Sequence, residues 1–208
     1  PLTNAAKEVL LGTLLGDGSL VKPTSHWTWN KNKTKKWWCG CRHYKLTIRH
    51  SPKQWDYINW LYTKLEPICR IPHERRYFNP KMNKYYSSVD LVTRTLSYFT
   101  RLRKIYYPQG KKIVTRKILN KLTILSLAVW YMDDGTRNKG RIWLATNAFP
   151  YEQQEIIQKY FLEKWNIKVS IVKERSQFKI SFNGDDAIRF SHLIEPFIIP
   201  LMRYKLIL

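Results

Sequence analysis

The stretch Val9-Leu10-Leu11-Gly12-Thr13-Leu14-Leu15-Gly16-Asp17-Gly18 returns, altered, as Ile124-Leu125-Ser126-Leu127-Ala128-Val129-Trp130-Tyr131-Met132-Asp133-Asp134-Gly135. Each is an apolar run that stops on an acidic residue and a glycine, and the acidic endings at 17 and 134 are 117 residues apart. Thr3 or Asn4 ahead of the first run and Thr123 ahead of the second are N-cap residue types, and a glycine just past the end is a helix stop. Both runs therefore predict helices.

The material after each helix matches as well. Residues 43–49 alternate apolar Tyr44, Leu46 and Ile48 with polar Lys45, Thr47 and Arg49, the period of a strand with one greasy and one basic face. In the second half, residues 135–138 and 141–146 predict a hairpin turning at Asn138-Lys139-Gly140, while the first-half counterpart carries a longer Lys- and Trp-rich loop over 27–40. Ser51-Pro52 and Phe149-Pro150 then open amphipathic helices over 53–65 and 151–165. Strands are predicted over 85–93, and over 169–174 with 177–182, the last two joined by Arg175-Ser176. Helices over 96–105 and 185–194 close the halves, each followed by a proline element and lysine: Tyr107-Pro108 with Lys111-Lys112, and Ile199-Pro200 with Lys205. An internal repeat is the economical account. It divides the chain into a half-domain at 1–107, a Lys-rich linker at 108–122 and a half-domain at 123–208.

Composition bounds the partner. A chain of 208 residues with 44% hydrophobic content buries a real core, which excludes disordered and collagen-like classes. Lys and Arg total 37 against 15 acidic residues, for a net charge of +22, far beyond what solubility needs. A surface so charged repels itself unless a polyanion shares it, and nucleic acid is the polyanion expected. No apolar run reaches the 18 or so residues of a membrane span, so no membrane is expected. Cys39, Cys41 and Cys69 are an odd number, which predicts a reducing compartment without disulfides. Cys39, Cys41 and His43 crowd together, but without a second pair at finger spacing no structural zinc is expected.

With Leu10 to Gly18 and Leu127 to Gly135 on the page, the chain resembles the LAGLIDADG homing endonucleases in the form that carries both motifs on one chain. The run Leu125 to Gly135 and the ending Leu193-Ile194-Glu195-Pro196-Phe197-Ile198-Ile199-Pro200-Leu201-Met202-Arg203-Tyr204-Lys205-Leu206 look like yeast mitochondrial members of that family. The likeness covers nearly the whole chain. It implies an α+β fold: a pseudo-twofold tandem αββαββα repeat with two saddle-shaped antiparallel sheets and two central motif helices. One departure stands out. Val129 and Asp133 occupy the positions of Gly12 and Gly16, so close helix contact is expected to rely on Gly12, Gly16 and Ala128.

The resemblance also implies chemistry. Parallel motif helices would bring Asp17 and Asp134 together at their C-terminal ends, where the helix dipoles and the mutual repulsion of the carboxylates call for a cation. Mg²⁺, as two or three ions with Mn²⁺ able to substitute, is the implied cofactor, with Asp17, Asp134, Gly16 and Asp133 as the metal-site residues. The implied reaction is hydrolysis of one phosphodiester per strand by metal-activated water, leaving short 3′ overhangs in a long asymmetric site and promoting intron mobility. Lys205 matches a basic residue the family places near the scissile phosphate, and Lys112, with Lys111 as rival, is its first-half partner. The two sheets would lie in successive major grooves, with Arg42, Lys45, Arg49, Arg75, Arg137, Lys139, Arg141, Lys173, Arg175 and Lys179 as DNA-binding candidates. Trp27, Trp29 and Trp143 are the apolar or stacking contacts. The expected assembly is a monomer on double-stranded DNA, with intron RNA as a further partner. Its expected location is a mitochondrion or chloroplast, otherwise a bacterial cytoplasm. The alternatives are an intron RNA maturase and a catalytically inactive DNA-binding protein, the latter expected to lose Asp17 or Asp134.

Overall fold

The computed structural model describes residues 2–24, 26–29 and 31–208, with backbone alone at 26–28 and 37–39. Helix α1 (Asn4–Leu15) starts where the Thr3 hydroxyl oxygen accepts the Ala6 N–H at 3.1 Å, and ends where the Gly16 N–H reaches the Gly12 carbonyl. After it come strand β1 (Ser19–Val21), hairpin strands β2 (His26–Trp29) and β3 (Lys36–Cys39), and β4 (Lys45–His50). Helix α2 (Trp55–Leu65), strands β5 (His73–Asn79) and β6 (Lys84–Val92), and helix α3 (Ser97–Tyr106) complete the first set. A short helix α4 (Arg116–Leu119) leads into α5 (Ile124–Asp134), capped by Thr123 as expected. The second set is β7 (Gly135–Asn138), β8 (Arg141–Leu144), α6 (Tyr151–Trp165), β9 (Val169–Glu174), β10 (Gln177–Asn183) and α7 (Gly184–Ile194).

Two four-stranded antiparallel sheets result, ordered β1-β4-β6-β5 and β7-β8-β10-β9. The order is the same in both once the β2-β3 hairpin is set aside. That hairpin corrects the expectation of an unpaired loop over 27–40: His26 to Trp29 pair with Cys39 to Lys36 as a separate two-stranded unit inserted between β1 and β4. In the second half the equivalent connection is two residues, Lys139 (φ 45°) and Gly140 (φ 72°), both in the left-handed region that a tight I′ hairpin turn requires.

Register fixes which side of each sheet meets the helices, because opposite residues in an antiparallel pair share a face. Leu46, Ile48, Val89 and Leu91 point inward over α1, α2 and α3; Ile142, Leu144, Ile180 and Phe182 do so over α6 and α7. Phe182 stacks on Phe190 at 4.3 Å between centroids, and Phe161 closes edge-on against both. The stretch between the halves is not a solvated tether. Val114, Ile118, Leu119 and Leu122 are buried, and the Val114 N–H donates to Gln153 Oε1 at 2.8 Å.

Candidate active site and nucleic-acid interface

Helices α1 and α5 lie side by side and run parallel, as three successive contacts demonstrate. Near their starts the Thr123 hydroxyl donates to Glu8 Oε2 and the Ser126 hydroxyl to the Glu8 carbonyl. Midway, a Cβ placed at Gly12 would collide with the Ser126 carbonyl and lie 2.7 Å from the Val129 Cβ. At the ends, a Cβ at Gly16 would lie 2.5 Å from the Asp133 Cβ, and the Asp17 N–H donates to Asp133 Oδ2 at 3.2 Å. Equivalent positions of the two copies thus face each other, glycine on α1 against a larger side chain on α5. The expected reliance on Gly12 and Gly16 is met, and on α5 the close contact is made by Ser126 rather than by the expected Ala128.

This packing carries Asp17 and Asp134 to the same end of the helix pair. Asp17 is 42% exposed. Asp134 accepts the Trp130 indole N–H at 3.2 Å, and burial, followed by the charge of Asp17, pushes its carboxyl up to about 7, against the pull of Lys112 and Lys205. Two carboxylates brought to the same end of two parallel helices, at their C-termini, form an all-oxygen donor set suited to a hard divalent cation.

The two candidate lysines are placed alike. Lys112 Nζ donates to the Gly16 and Gly18 carbonyls at 2.7 and 3.0 Å, just past α1, whereas Lys111 is exposed. Lys205 Nζ donates to the Met132 carbonyl at 2.6 Å, in the last turn of α5, and the Tyr131 hydroxyl donates to the Lys205 carbonyl. Each lysine therefore satisfies carbonyls left open at a motif-helix end. Burial lowers the pKa of both, while the surrounding aspartates oppose it.

Beside these residues Asp133, expected at the metal site, meets two side chains the sequence did not single out, Tyr57 and His50. The Asp133 side chain is fully buried, with Oδ1 accepting the Tyr57 hydroxyl at 2.7 Å and Oδ2 the Asp17 N–H. Burial, then the charge of Asp17, drives its carboxyl well above the usual range. His50 approaches both aspartates, with Nε2 3.6 Å from Asp17 Oδ2 and 3.7 Å from Asp133 Oδ1, and burial holds its imidazole below the usual value. A signal for His50 existed: extending the alternation Leu46, Ile48 by two residues puts a titratable ring on the inward face.

The outward faces carry the basic residues. On the first sheet Lys45, Thr47 and Arg49 alternate outward, and register adds His73, Arg75, Tyr77, Lys84 and Tyr86 from β5 and β6. A groove that starts at Asp17 runs along this face past Lys45, Arg49, Arg70 and Arg75. Arg49 is braced by Asp90 through two hydrogen bonds of 2.8 Å. On the second sheet Arg141, Trp143 and Lys179 point outward, the Lys179 ammonium lying 4.4 Å from the Trp143 ring centroid and pairing with Glu174. Lys139 and Arg175 occupy hairpin turns, and Arg42 an exposed segment before β4. Trp29 is exposed beside Lys36, and the Trp27 side chain lies outside the described residues. Two candidates have the strand parity of the helix-bearing side, although Arg137 also lines a groove with Asp134 and Lys205. Arg137 pairs with inward Ile142 and donates to the Leu206 carbonyl at 2.8 Å, tying β7 to the C-terminal segment. Lys173 pairs with Phe178, on the helix-bearing side.

Residues 7–190 match the family model of the LAGLIDADG DNA endonuclease family. Over 99% of its length the chain is 29% identical to the protein RecA of Mycobacterium gastri, spanning 48% of that protein. It is also 29% identical to the cytochrome b mRNA maturase bI2 of Debaryomyces hansenii, again over 99% of its length and 75% of the maturase. The chain spans about half the length of the RecA proteins it matches. Among solved structures, the homing endonuclease I-WcaI bound to its DNA recognition sequence superposes with a TM-score of 0.83 at 25% identity, covering 99% of this chain and 87% of that one.

Proposed function

This chain belongs to the LAGLIDADG DNA endonuclease family, and from that premise we propose that it is a site-specific homing endonuclease. It recognises a long asymmetric site in double-stranded DNA, hydrolyses one phosphodiester on each strand and so promotes mobility of its intron. The observation that carries the reading is the convergence of Asp17 and Asp134, each beside a lysine that caps its helix, between two outward sheet faces of which the first is strongly basic.

Asp17 and Asp134 would hold Mg²⁺, with the Gly16 and Asp133 positions beside them. Bound there, the ion supplies Lewis-acid polarisation of the phosphate and lowers the pKa of water at the site. The remaining work belongs to the chain. Lys112 and Lys205 fix the geometry of the two motif ends and set positive charge next to each aspartate, where a pentacoordinate phosphate gains negative charge. Lys45, Arg49, Arg75, Arg141 and Lys179 hold the duplex by its backbone and base edges, with Arg42, Lys139 and Arg175 at the margins. We assign residues 1–107 and 123–208 to the two half-sites, joined through 108–122, and a monomer as the acting unit because both motifs are present on one chain. An organelle is the compartment that fits an intron-encoded chain.

A second reading, an intron RNA splicing factor, is favoured by the likeness to the maturase bI2 over 75% of that protein's length. One experiment separates them: selection of cleaved duplexes from a random library with Mg²⁺, then the same substrate with Asp134→Asn. The nuclease reading expects binding retained and cutting lost by at least two orders of magnitude. A variant that cuts at the wild-type rate, or a wild-type protein that enriches no cleaved site while it accelerates splicing, overturns it.

A further inference from the structure

We propose that Asp17, Asp133 and His50 form a binding site for a divalent first-row transition ion, on the first-half side of the motif helices and separate from the all-oxygen site between Asp17 and Asp134. His50 Nδ1 lies 2.8 Å from Gln54 Oε1, an acceptor, so Nδ1 carries the ring proton. The lone pair of Nε2 then points at Asp17 Oδ2 and Asp133 Oδ1, 3.6 and 3.7 Å away, with its side chain 3% exposed and no hydrogen-bond partner for Nε2. Both Asp133 oxygens are already engaged as acceptors, one from Tyr57 and one from the Asp17 N–H, and neither of these donors reaches Nε2. Three acceptor atoms thus face one another across a gap too wide for a hydrogen bond, with Nε2 buried away from water.

A cation resolves that arrangement. Ligand atoms at about 2.0 to 2.2 Å around a four-coordinate ion stand about 3.4 Å apart, and the three donor atoms here all lie within 4.8 Å of one another. Both buried ligands already have the outer partners that orient metal-binding side chains: Gln54 behind the imidazole, and Tyr57, which donates to Asp133 and meets the His50 ring edge-on at 5.2 Å. The imidazole decides the class of ion. One nitrogen and two carboxylate oxygens suit Mn²⁺, Fe²⁺, Co²⁺ or Zn²⁺, whereas Mg²⁺ and Ca²⁺ prefer oxygen alone. The second half offers no twin, because the corresponding end of β8 leads to Thr146, whose hydroxyl donates to Gln154 Oε1.

The site stands on these side chains alone and does not require that the protein cut DNA, so it is tested without DNA. Co²⁺ is titrated into the chelator-treated chain in excess Mg²⁺, which fills any oxygen-only site. The expected result is one Co²⁺ per chain with visible d–d absorption, displaced by one equivalent of Zn²⁺, and an affinity at least tenfold lower in His50→Ala and in Asp133→Asn. No stoichiometric site, or equal affinity in His50→Ala, overturns the proposal. Should either variant fail to fold, anomalous diffraction from a wild-type crystal grown with Co²⁺ decides: a peak bonded to His50 Nε2 and both carboxylates upholds the site, and a peak elsewhere or none refutes it.

Discussion

Gly12→Ala and Gly16→Ala put the packing of the motif helices to a quantitative test. Removing a glycine favours the folded state by about 0.4 to 1 kcal/mol through the unfolded chain. Against this, each new methyl enters occupied space. At Gly16 the nearest atoms it meets belong to the Asp133 side chain, 2.5 Å to its Cβ and 2.9 Å to its Cγ, so Asp133 must move and its bonds from Tyr57 and the Asp17 N–H are strained or lost. Overpacking costs about 1 to 3 kcal/mol, and each hydrogen bond to the carboxyl, kept neutral by burial, about 0.5 to 1.5 kcal/mol. The expected net loss is about 2 to 4 kcal/mol. At Gly12 the methyl collides with the Ser126 carbonyl, which is helix backbone and cannot rotate away, so α1 and α5 must separate along their length. Gly12→Ala is therefore the more damaging. Urea unfolding of the metal-free, DNA-free protein, followed by circular dichroism, gives both values. The double variant Gly16→Ala/Asp133→Gly should recover about 1 kcal/mol or more relative to additivity, while Val129→Ala should rescue Gly12→Ala far less. Midpoints of both single variants unchanged from wild type would refute the close parallel packing, and with it the meeting of Asp17 and Asp134.

In chelator, Asp134→Asn should stabilise the protein at pH 8 and not at pH 4. A carboxyl raised from 3.8 to about 7 binds more protons folded than unfolded between those values, so wild-type stability falls as pH rises through that window, by up to about 4 kcal/mol; equal urea midpoints at pH 8 would contradict this. Lys112→Met and Lys205→Met, tested on end-labelled duplex, should each slow cutting of a different strand and accumulate oppositely nicked intermediates, and uniform slowing of both strands would remove the lysines from their half-sites. Arg75→Gln should lower the log-log salt slope of DNA binding by about 0.9, whereas Lys173→Gln, on the helix-bearing face, should leave the slope unchanged; the reverse ranking would mean that register does not govern the interface.

The two motif helices were legible because their signals are local: apolar residues all round, a threonine cap and a glycine stop. So were the turn at Lys139-Gly140, Pro150 ahead of α6, and Pro52, which starts a 3-10 turn leading into α2. Strand β5 was not. His73 to Asn79 show no alternation of apolar and polar residues, since most of that strand is exposed on both faces, and only pairing with β6 makes it a strand. Facing errors had a different source. Side-chain direction reverses with every residue, so a basic residue in a strand says nothing about DNA until parity is known. Lys173 follows Val169 and Ile171 at two-residue spacing, so its inward parity was there to be read. Arg137 was harder, because its parity depends on β7 beginning directly at Gly135. His50 and Tyr57 escaped for a third reason: sequence named Asp133 as a metal-site residue and showed that it replaces a glycine, but not that its side chain would turn into the helix interface and meet them.

That replacement bears on why both copies are needed on one chain. In the observed pair, Gly16 leaves room that Asp133 fills, and Asp133 supplies the acceptor for the Asp17 N–H where α1 has run out of helical carbonyls. A symmetric pairing of first halves would set Gly16 against Gly16, with no side chain to fill the gap or accept those N–H groups. A symmetric pairing of second halves would set Asp133 against Asp133, two buried carboxylates in contact without Tyr57 or His50 to moderate them, and one would have to be protonated. Val129 against Val129 would add a collision where Gly12 now yields. The mixed pair sets each glycine of α1 against a larger side chain of α5, and joining the halves on one chain keeps that pairing together. Joined in this way the halves could diverge, leaving one outward face crowded with Lys45, Arg49, Arg75 and Lys84 and the other with Arg141 and a Lys179 held by Glu174. Unlike faces fit unlike half-sites, which agrees with the proposed asymmetric target.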